Sequence, residues 1–106
     1  MKIYGLKNCD TCRKAAKALG ARAELVDVRD TPLPRPVVMA AEEAFGEALV
    51  NKRSTTWRNL SETERSAETM TLIYQHPAVM KRPLIVDGDQ MWLGFTAEVK
   101  TALGVS

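Results

Sequence analysis

The residues best equipped for chemistry are Cys9 and Cys12, in the run Asn8-Cys9-Asp10-Thr11-Cys12-Arg13-Lys14. A neutral thiol is a poor nucleophile; the reactive species is the thiolate, and local positive potential favours it. A helix beginning close to Cys9 supplies such potential. Its first turn leaves backbone N–H groups unpaired and carries roughly half a unit of positive charge. Lys7, Arg13 and Lys14 add to that potential and Asp10 opposes it. Cys12, one helical turn on, is placed to resolve a mixed disulfide formed on Cys9. Three other readings of the pair stay open on spacing alone. It is half of a zinc site, for which only His76 remains as a further His or Cys ligand; or two inert buried thiols; or one active cysteine, Cys9, with Cys12 incidental.

Two further stretches carry charge in suggestive places. In Lys81-Arg82-Pro83 the guanidinium of Arg82 offers a fork of donors to an anion or carboxylate, and the following proline permits a cis bond. The run Asn51-Lys52-Arg53-Ser54-Thr55-Thr56-Trp57-Arg58 is basic and rich in hydroxyls. It reads either as a solvated connection anchored by Trp57 or as a loop binding an anionic thiol such as glutathione. His76 has no acidic or cysteine partner evident in sequence and reads as structural. Trp92 and Phe95 read as core.

Strands must deliver these groups and a helix must activate them. Lys2-Ile3-Tyr4-Gly5 reads as a short strand ending in a turn, and Cys12 to Leu19 as a helix with Ala15, Ala16 and Leu19 on its apolar face. Gly20 stops that helix, and Ala23 to Val28 forms a second strand. The result is a βαβ unit with the cysteines at its strand-to-helix turn. After the proline-punctuated segment 31–36, Pro36 opens a helix through Phe45, and a second short piece covers Glu47 to Asn51. Ser61-Glu62-Thr63-Glu64 matches a capping box. One more helix holds Met70, Leu72, Ile73 and Tyr74. Leu84-Ile85-Val86 and Met91-Trp92-Leu93 form a hairpin about Asp87-Gly88-Asp89, and a last helix runs from Thr96 to Leu103. The order predicts an α/β chain of thioredoxin-like fold. Its mixed four-stranded sheet belongs to a single domain over residues 1–106, with a helical insertion at about 32–76.

Composition sets the outer limits. Hydrophobic residues make up 45% and charged residues 26%, which suits a folded domain rather than a disordered one. Fifteen Lys plus Arg against thirteen Asp plus Glu leave a net charge of +2, too balanced to imply nucleic-acid binding by charge. No apolar run approaches the roughly 20 residues needed to cross a bilayer, and the N-terminus lacks the apolar core of a signal peptide. The expected location is the cytoplasm, where two lone cysteines are not a structural disulfide framework. The expected state is a monomer with no metal and no bound cofactor.

The run Ile3-Tyr4-Gly5-Leu6-Lys7-Asn8-Cys9-Asp10-Thr11-Cys12-Arg13-Lys14-Ala15 resembles the active-site turn of the arsenate reductase-like family. That family includes glutaredoxin-linked arsenate reductases, Spx regulators and small YffB-type proteins. The loop 51–58, the stretch from His76-Pro77 through Lys81-Arg82-Pro83-Leu84-Ile85-Val86, and Leu93-Gly94-Phe95 resemble it in the same order. The resemblance implies a thioredoxin-like fold, Cys9 as the catalytic cysteine, Arg82 as the anion-binding arginine and Pro83 as the proline beside it. With Cys12 as the resolving cysteine, the substrate-binding set is Lys7, Asn8, Arg13, Arg53, Arg82 and Pro83. Where the arsenate reductases bring further arginines to the oxyanion, this chain has Asn51 and Gly94-Phe95. The pattern looks most like the YffB type, which implies a glutathione-dependent thiol reductase with glutathione as co-substrate. An Spx-like redox sensor that binds RNA polymerase and an arsenate reductase served by glutaredoxin are the alternatives the resemblance carries.

Overall fold

A computed structural model describes residues 1–105. Two compact units divide the chain, one built from Met1–Thr31 together with the segment from Arg82 onward, the other from Pro32–Lys81.

The first unit holds the sheet. Strand β1 (Lys2–Gly5) leads to helix α1 (Asp10–Leu19) and strand β2 (Glu24–Asp27), and β1 and β2 pair in parallel with Ile3 opposite Leu25 and Gly5 opposite Asp27. Strands β3 (Leu84–Asp87) and β4 (Gln90–Leu93) form an antiparallel hairpin, and β3 adds antiparallel to β1, giving the order β2-β1-β3-β4. The mixed four-stranded sheet, with the βαβ unit feeding a ββα end, is the thioredoxin-like arrangement that the element order predicts.

Periodicity explains which side of each element is buried. Cys12, Ala15 and Leu19 fall on one face of α1 and are buried. Val99 and Leu103 of the last helix, α6 (Ala97–Leu103), join Ala15, Leu19, Ile3 and Ile85 in one apolar cluster, with Trp92 and Phe95 packed at its margin. Each aliphatic side chain fully removed from water there contributes about 1.5–3 kcal/mol. Helix α1 ends where Gly20 takes a φ of +56°, a region disfavoured for side-chain-bearing residues. Thr96 caps α6 by accepting a hydrogen bond from the Val99 N–H.

The second unit is helical. It comprises α2 (Arg35–Phe45), a 3₁₀ turn over Gly46–Leu49, α3 (Thr55–Arg58), α4 (Glu62–Arg65) and α5 (Thr69–Gln75). Val50, Leu60, Leu72 and Val79 form its core, with Trp57 packed against them. Four side chains fasten its short segments. Ser61 and Glu64 complete the capping box reciprocally, at 3.1 and 2.9 Å. The Arg65 guanidinium donates to the carbonyls of Trp57 and Arg58 at 3.1 and 2.8 Å and lies over the Trp57 ring, 5.6 Å from its centroid. The Tyr74 hydroxyl donates to Leu33 O at 2.6 Å. Ser54 caps α3, so half of the expected loop at 51–58 is helix. His76 also differs from the sequence expectation: its Nε2 lies 3.5 Å from Glu64 Oε2, an acidic partner twelve residues away that α4 brings to it.

Candidate functional site

Cys9 is the N-cap of α1, in extended backbone geometry (φ −94°, ψ 121°). Its N–H donates to Leu6 O at 3.1 Å and its carbonyl accepts the Arg13 N–H at 3.0 Å, so the backbone turns into the helix at this residue. The helix therefore starts at Asp10, two residues before the start read from sequence. Asp10, a first-turn acid favourable to the helix dipole, explains the earlier start.

The two thiols have opposite surroundings. Cys9 is partly exposed and Cys12 is fully buried. Burial pushes the Cys9 thiol up. That effect is outweighed by hydrogen bonds from the Cys12 side chain and the Cys12 N–H, and by the hydrogen bond and charge of Arg82, so its pKa lies below the ordinary value. Cys12 is pushed up to about 12, chiefly by burial, with the neighbouring Cys9 adding to the rise and a backbone hydrogen bond from Leu6 opposing it. One sulfur is thus prepared as a thiolate, and the other is kept protonated as a donor to it.

Gly5 makes this stacking of strand on helix possible. A Cβ at position 5 would be driven into Cys12 Sγ, with Cys12 Cβ only 3.2 Å away. The sequence reads Gly5 as the end of the first strand, before a turn, and gives it no packing role. It is the last residue of β1, as that reading has it, and its missing side chain is the space Cys12 occupies.

The candidate binding residues are not equally available. Arg82 reaches Cys9, and the Arg82-Pro83 peptide bond is cis. Pro83 is fully buried, and its carbonyl accepts the Gly94 N–H at 2.8 Å, which anchors the residue beside Arg82 to the end of β4. Arg13 is engaged by Asp10 through a hydrogen-bonded ion pair. Lys7 Nζ lies 3.6 Å from Asp30, and Asn8 Oδ1 accepts from Arg29 Nη2 at 3.2 Å. Arg53 belongs to the helical unit, where its N–H donates to Asn51 Oδ1 at 3.0 Å and its side chain is exposed. That unit also contains a cavity of about 130 Å³ lined in part by Val50, Lys52, Trp57, Arg65 and Leu72.

Sequence reasoning missed Asp27 and Arg29. The Asp27 side chain is 2% exposed. Its carboxylate accepts from the Lys7 N–H and the Arg29 N–H, both at 2.9 Å, and from the Arg29 guanidinium. Those bonds, led by that of the Arg29 side chain, hold its pKa well below the usual carboxylate range. The available signal was an acidic residue ending an otherwise apolar strand, Leu25-Val26-Asp27-Val28, in the same βαβ unit as the cysteines. Among the described residues no helix is long and apolar enough to cross a membrane, and no group of three or more His, Cys, Asp or Glu is arranged to hold a metal.

A mixed four-stranded sheet that presents a thiol at the N-terminus of its first helix defines a protein of the thioredoxin-like class. More narrowly, the model of the ArsC family matches residues 4–103, and the chain belongs to that family. An uncharacterized protein of Haemophilus influenzae is 39% identical over 101 residues, covering 88% of this chain and 89% of its own length. The global transcriptional regulator Spx of Streptococcus pneumoniae is 27% identical over 100 residues, covering 86% of this chain and 75% of the regulator. A solved YffB protein superimposes with a TM-score of 0.84 over 96% of each chain at 24% identity, a likeness of fold.

Proposed function

We propose that this chain is a thiol-disulfide reductase working on glutathione mixed disulfides, with Cys9 as nucleophile, Cys12 as resolving thiol and Arg82 as the anion-binding group. The observation that carries it is the asymmetry of the two sulfurs: one partly exposed and favoured as thiolate, one buried and protonated beside it. The Cys9 thiolate attacks one sulfur of the mixed disulfide. A Cys9–S bond forms, the S–S bond breaks, and the departing thiolate takes a proton from solvent. Cys12 then gives up its proton and attacks Cys9 Sγ, expelling the second thiol and leaving a Cys9–Cys12 disulfide. Two external thiols, such as two glutathione molecules, reduce that disulfide and close the cycle. Forming the mixed disulfide consumes the Cys9 thiolate, whose presence is one of the causes raising Cys12. Resolution is therefore easier on the intermediate than in the resting protein.

Arg82 provides one fork of donors, enough for a glutathione carboxylate. A tetrahedral dianion such as arsenate needs several converging donors. Where the resemblance places further arginines of the arsenate reductases, this chain holds Asn51 and Gly94-Phe95, while Lys7 and Arg13 are already engaged by Asp30 and Asp10. The test is steady-state turnover with the mixed disulfide of glutathione and 2-mercaptoethanol, beside arsenate, at equal enzyme concentration. Turnover of the disulfide and little or none of arsenate is expected; the reverse would overturn the assignment. Replacing Cys12 by Ser traps the mixed disulfide on Cys9, visible as one added glutathione by mass spectrometry. A second reading rests on the Spx relatives: the pair serves as an oxidation sensor on a surface that binds RNA polymerase. Inactivity on both substrates, with retention on an RNA polymerase column, would favour it.

A further inference from the structure

Asp27, Arg29 and Asn8 meet at the turn that delivers Cys9. The buried Asp27 carboxylate, at the end of β2, accepts the Lys7 N–H through Oδ2 and the Arg29 N–H through Oδ1. Arg29 folds back over it, with Nε 3.4 Å from Oδ1 and Nη2 3.2 Å from Oδ2. The same Nη2 lies 3.2 Å from Asn8 Oδ1. One guanidinium therefore spans the end of β2 and the residue immediately before Cys9. Val28 N–H to Gly5 O, at 2.9 Å, secures the base of the turn.

We infer that this cluster is a clasp that positions the nucleophile: Asp27 and Arg29 hold the Lys7-Asn8 turn so that Cys9 stays seated on the N-terminus of α1, and Asn8 serves through that hold rather than by touching substrate. The inference rests on the reading of Cys9 as the nucleophile. It follows from what the turn lacks otherwise. Residues 6–9 belong to neither β1 nor α1. Cys9 has no side-chain cap bond of its own to fix it. The hydrogen bonds that favour its thiolate come from the Cys12 side chain and N–H and from Arg82, so they depend on where the turn leaves the sulfur. A drift of a few tenths of an ångström weakens bonds of this kind, because hydrogen-bond strength falls steeply with distance and angle. A buried carboxylate saturated by two backbone N–H groups and a guanidinium is a stiff anchor for such a turn.

The test uses the full-length protein and two exposed positions, Asn8→Ala and Arg29→Ala, with the double variant. Both keep the Asp27 carboxylate and its two backbone N–H donors, but Arg29→Ala removes the guanidinium that faces it, so thermal melting establishes that each variant is folded at the labelling temperature. Iodoacetamide labelling of Cys9 is followed against pH by peptide mass spectrometry, at low salt and in 1 M NaCl. Each single variant is expected to raise the labelling midpoint by about 0.5–1 pH unit, slowing labelling about three- to tenfold at pH values below the wild-type midpoint through loss of thiolate. The double variant should shift no further than either single one, and the shifts should persist in high salt, where the screening length is about 3 Å. A shift confined to Arg29→Ala that disappears in salt would make Arg29 a through-space charge and overturn the clasp. Unshifted midpoints in all three variants would overturn it as well. Failure of the parent reading looks different: the wild-type protein itself would then label Cys9 with an ordinary thiol midpoint.

Discussion

Gly5→Ala tests the packing of β1 against α1 more sharply than any change at the cysteines. The backbone at Gly5 has no positive φ, so the substitution carries no conformational penalty there. By itself, restricting the unfolded chain would stabilise by about 0.4–1 kcal/mol. The added methyl, however, lands on Cys12 Sγ and within 3.2 Å of Cys12 Cβ, in a site where Cys12 is fully buried. Overpacking of this kind costs about 1–3 kcal/mol. The net loss is about 1–2 kcal/mol, a fall in melting temperature of roughly 4–16 °C for a chain of this size. The assay is thermal or urea unfolding of Gly5→Ala, Cys12→Ala and the double variant. Removing the sulfur vacates the space the methyl needs, so the double variant should recover much of the loss, with a coupling of about 1–2 kcal/mol. Recovery stays incomplete because Cys12 Cβ remains. A Gly5→Ala protein as stable as the wild type, or losses that simply add, would refute the reasoning.

Three further outcomes are expected. Labelling of native protein against pH should show Cys9 reacting with a midpoint below 9.0, while Cys12, near 12 and buried, stays unlabelled until the protein is unfolded. Arg82→Ala should raise the Cys9 midpoint and lower disulfide turnover by roughly ten- to a hundredfold, the worth of one charge-assisted hydrogen bond; unchanged labelling and turnover would remove Arg82 from the site. Asp27→Asn should destabilise the protein near neutrality and change its acid response. The Asp27 pKa is depressed in the folded state, so the carboxylate's contribution is complete above the ordinary value of 3.8 and is lost as pH falls through the folded value. Wild type and variant should therefore converge in stability only in strong acid, which an acid series of urea midpoints reads directly.

The cysteine turn was legible because its signals are local. Apolar spacing on α1, a stop at Gly20 and a strand on either side need only a dozen residues of context, and the capping box at Ser61 and Glu64 is a four-residue pattern. The mixed four-stranded sheet followed from the element order, whereas the strand order β2-β1-β3-β4 did not. What stayed hidden depends on residues far apart in the chain. Nothing near Arg29 announces Asn8, twenty-one positions earlier, and nothing near His76 announces Glu64. Lys7 and Arg13 read as free cations because sequence counts charges without pairing them; the fold gives each an acid. The place of Gly5 at the end of β1 was legible, but its packing role was not, because it answers to a sulfur on the helix that packs over it.

The discontinuity of the sheet-bearing unit sets a schedule for biosynthesis. β1 takes its parallel neighbour from β2 soon after it is made, but its antiparallel neighbour β3 begins only at Leu84, after the whole helical unit has emerged. Until then Ile3 lacks Ile85 opposite it, and the cluster that α6 completes is open. Pairing of strands so distant in sequence is slow, because the chain between them must first be closed into a loop. The helical unit has its own core, and Ser54 and Ser61 cap two of its helices, so it is the part equipped to fold first. A released chain ending at Lys81 should therefore protect the helical segment from protease while leaving β1 and α1 open to cleavage.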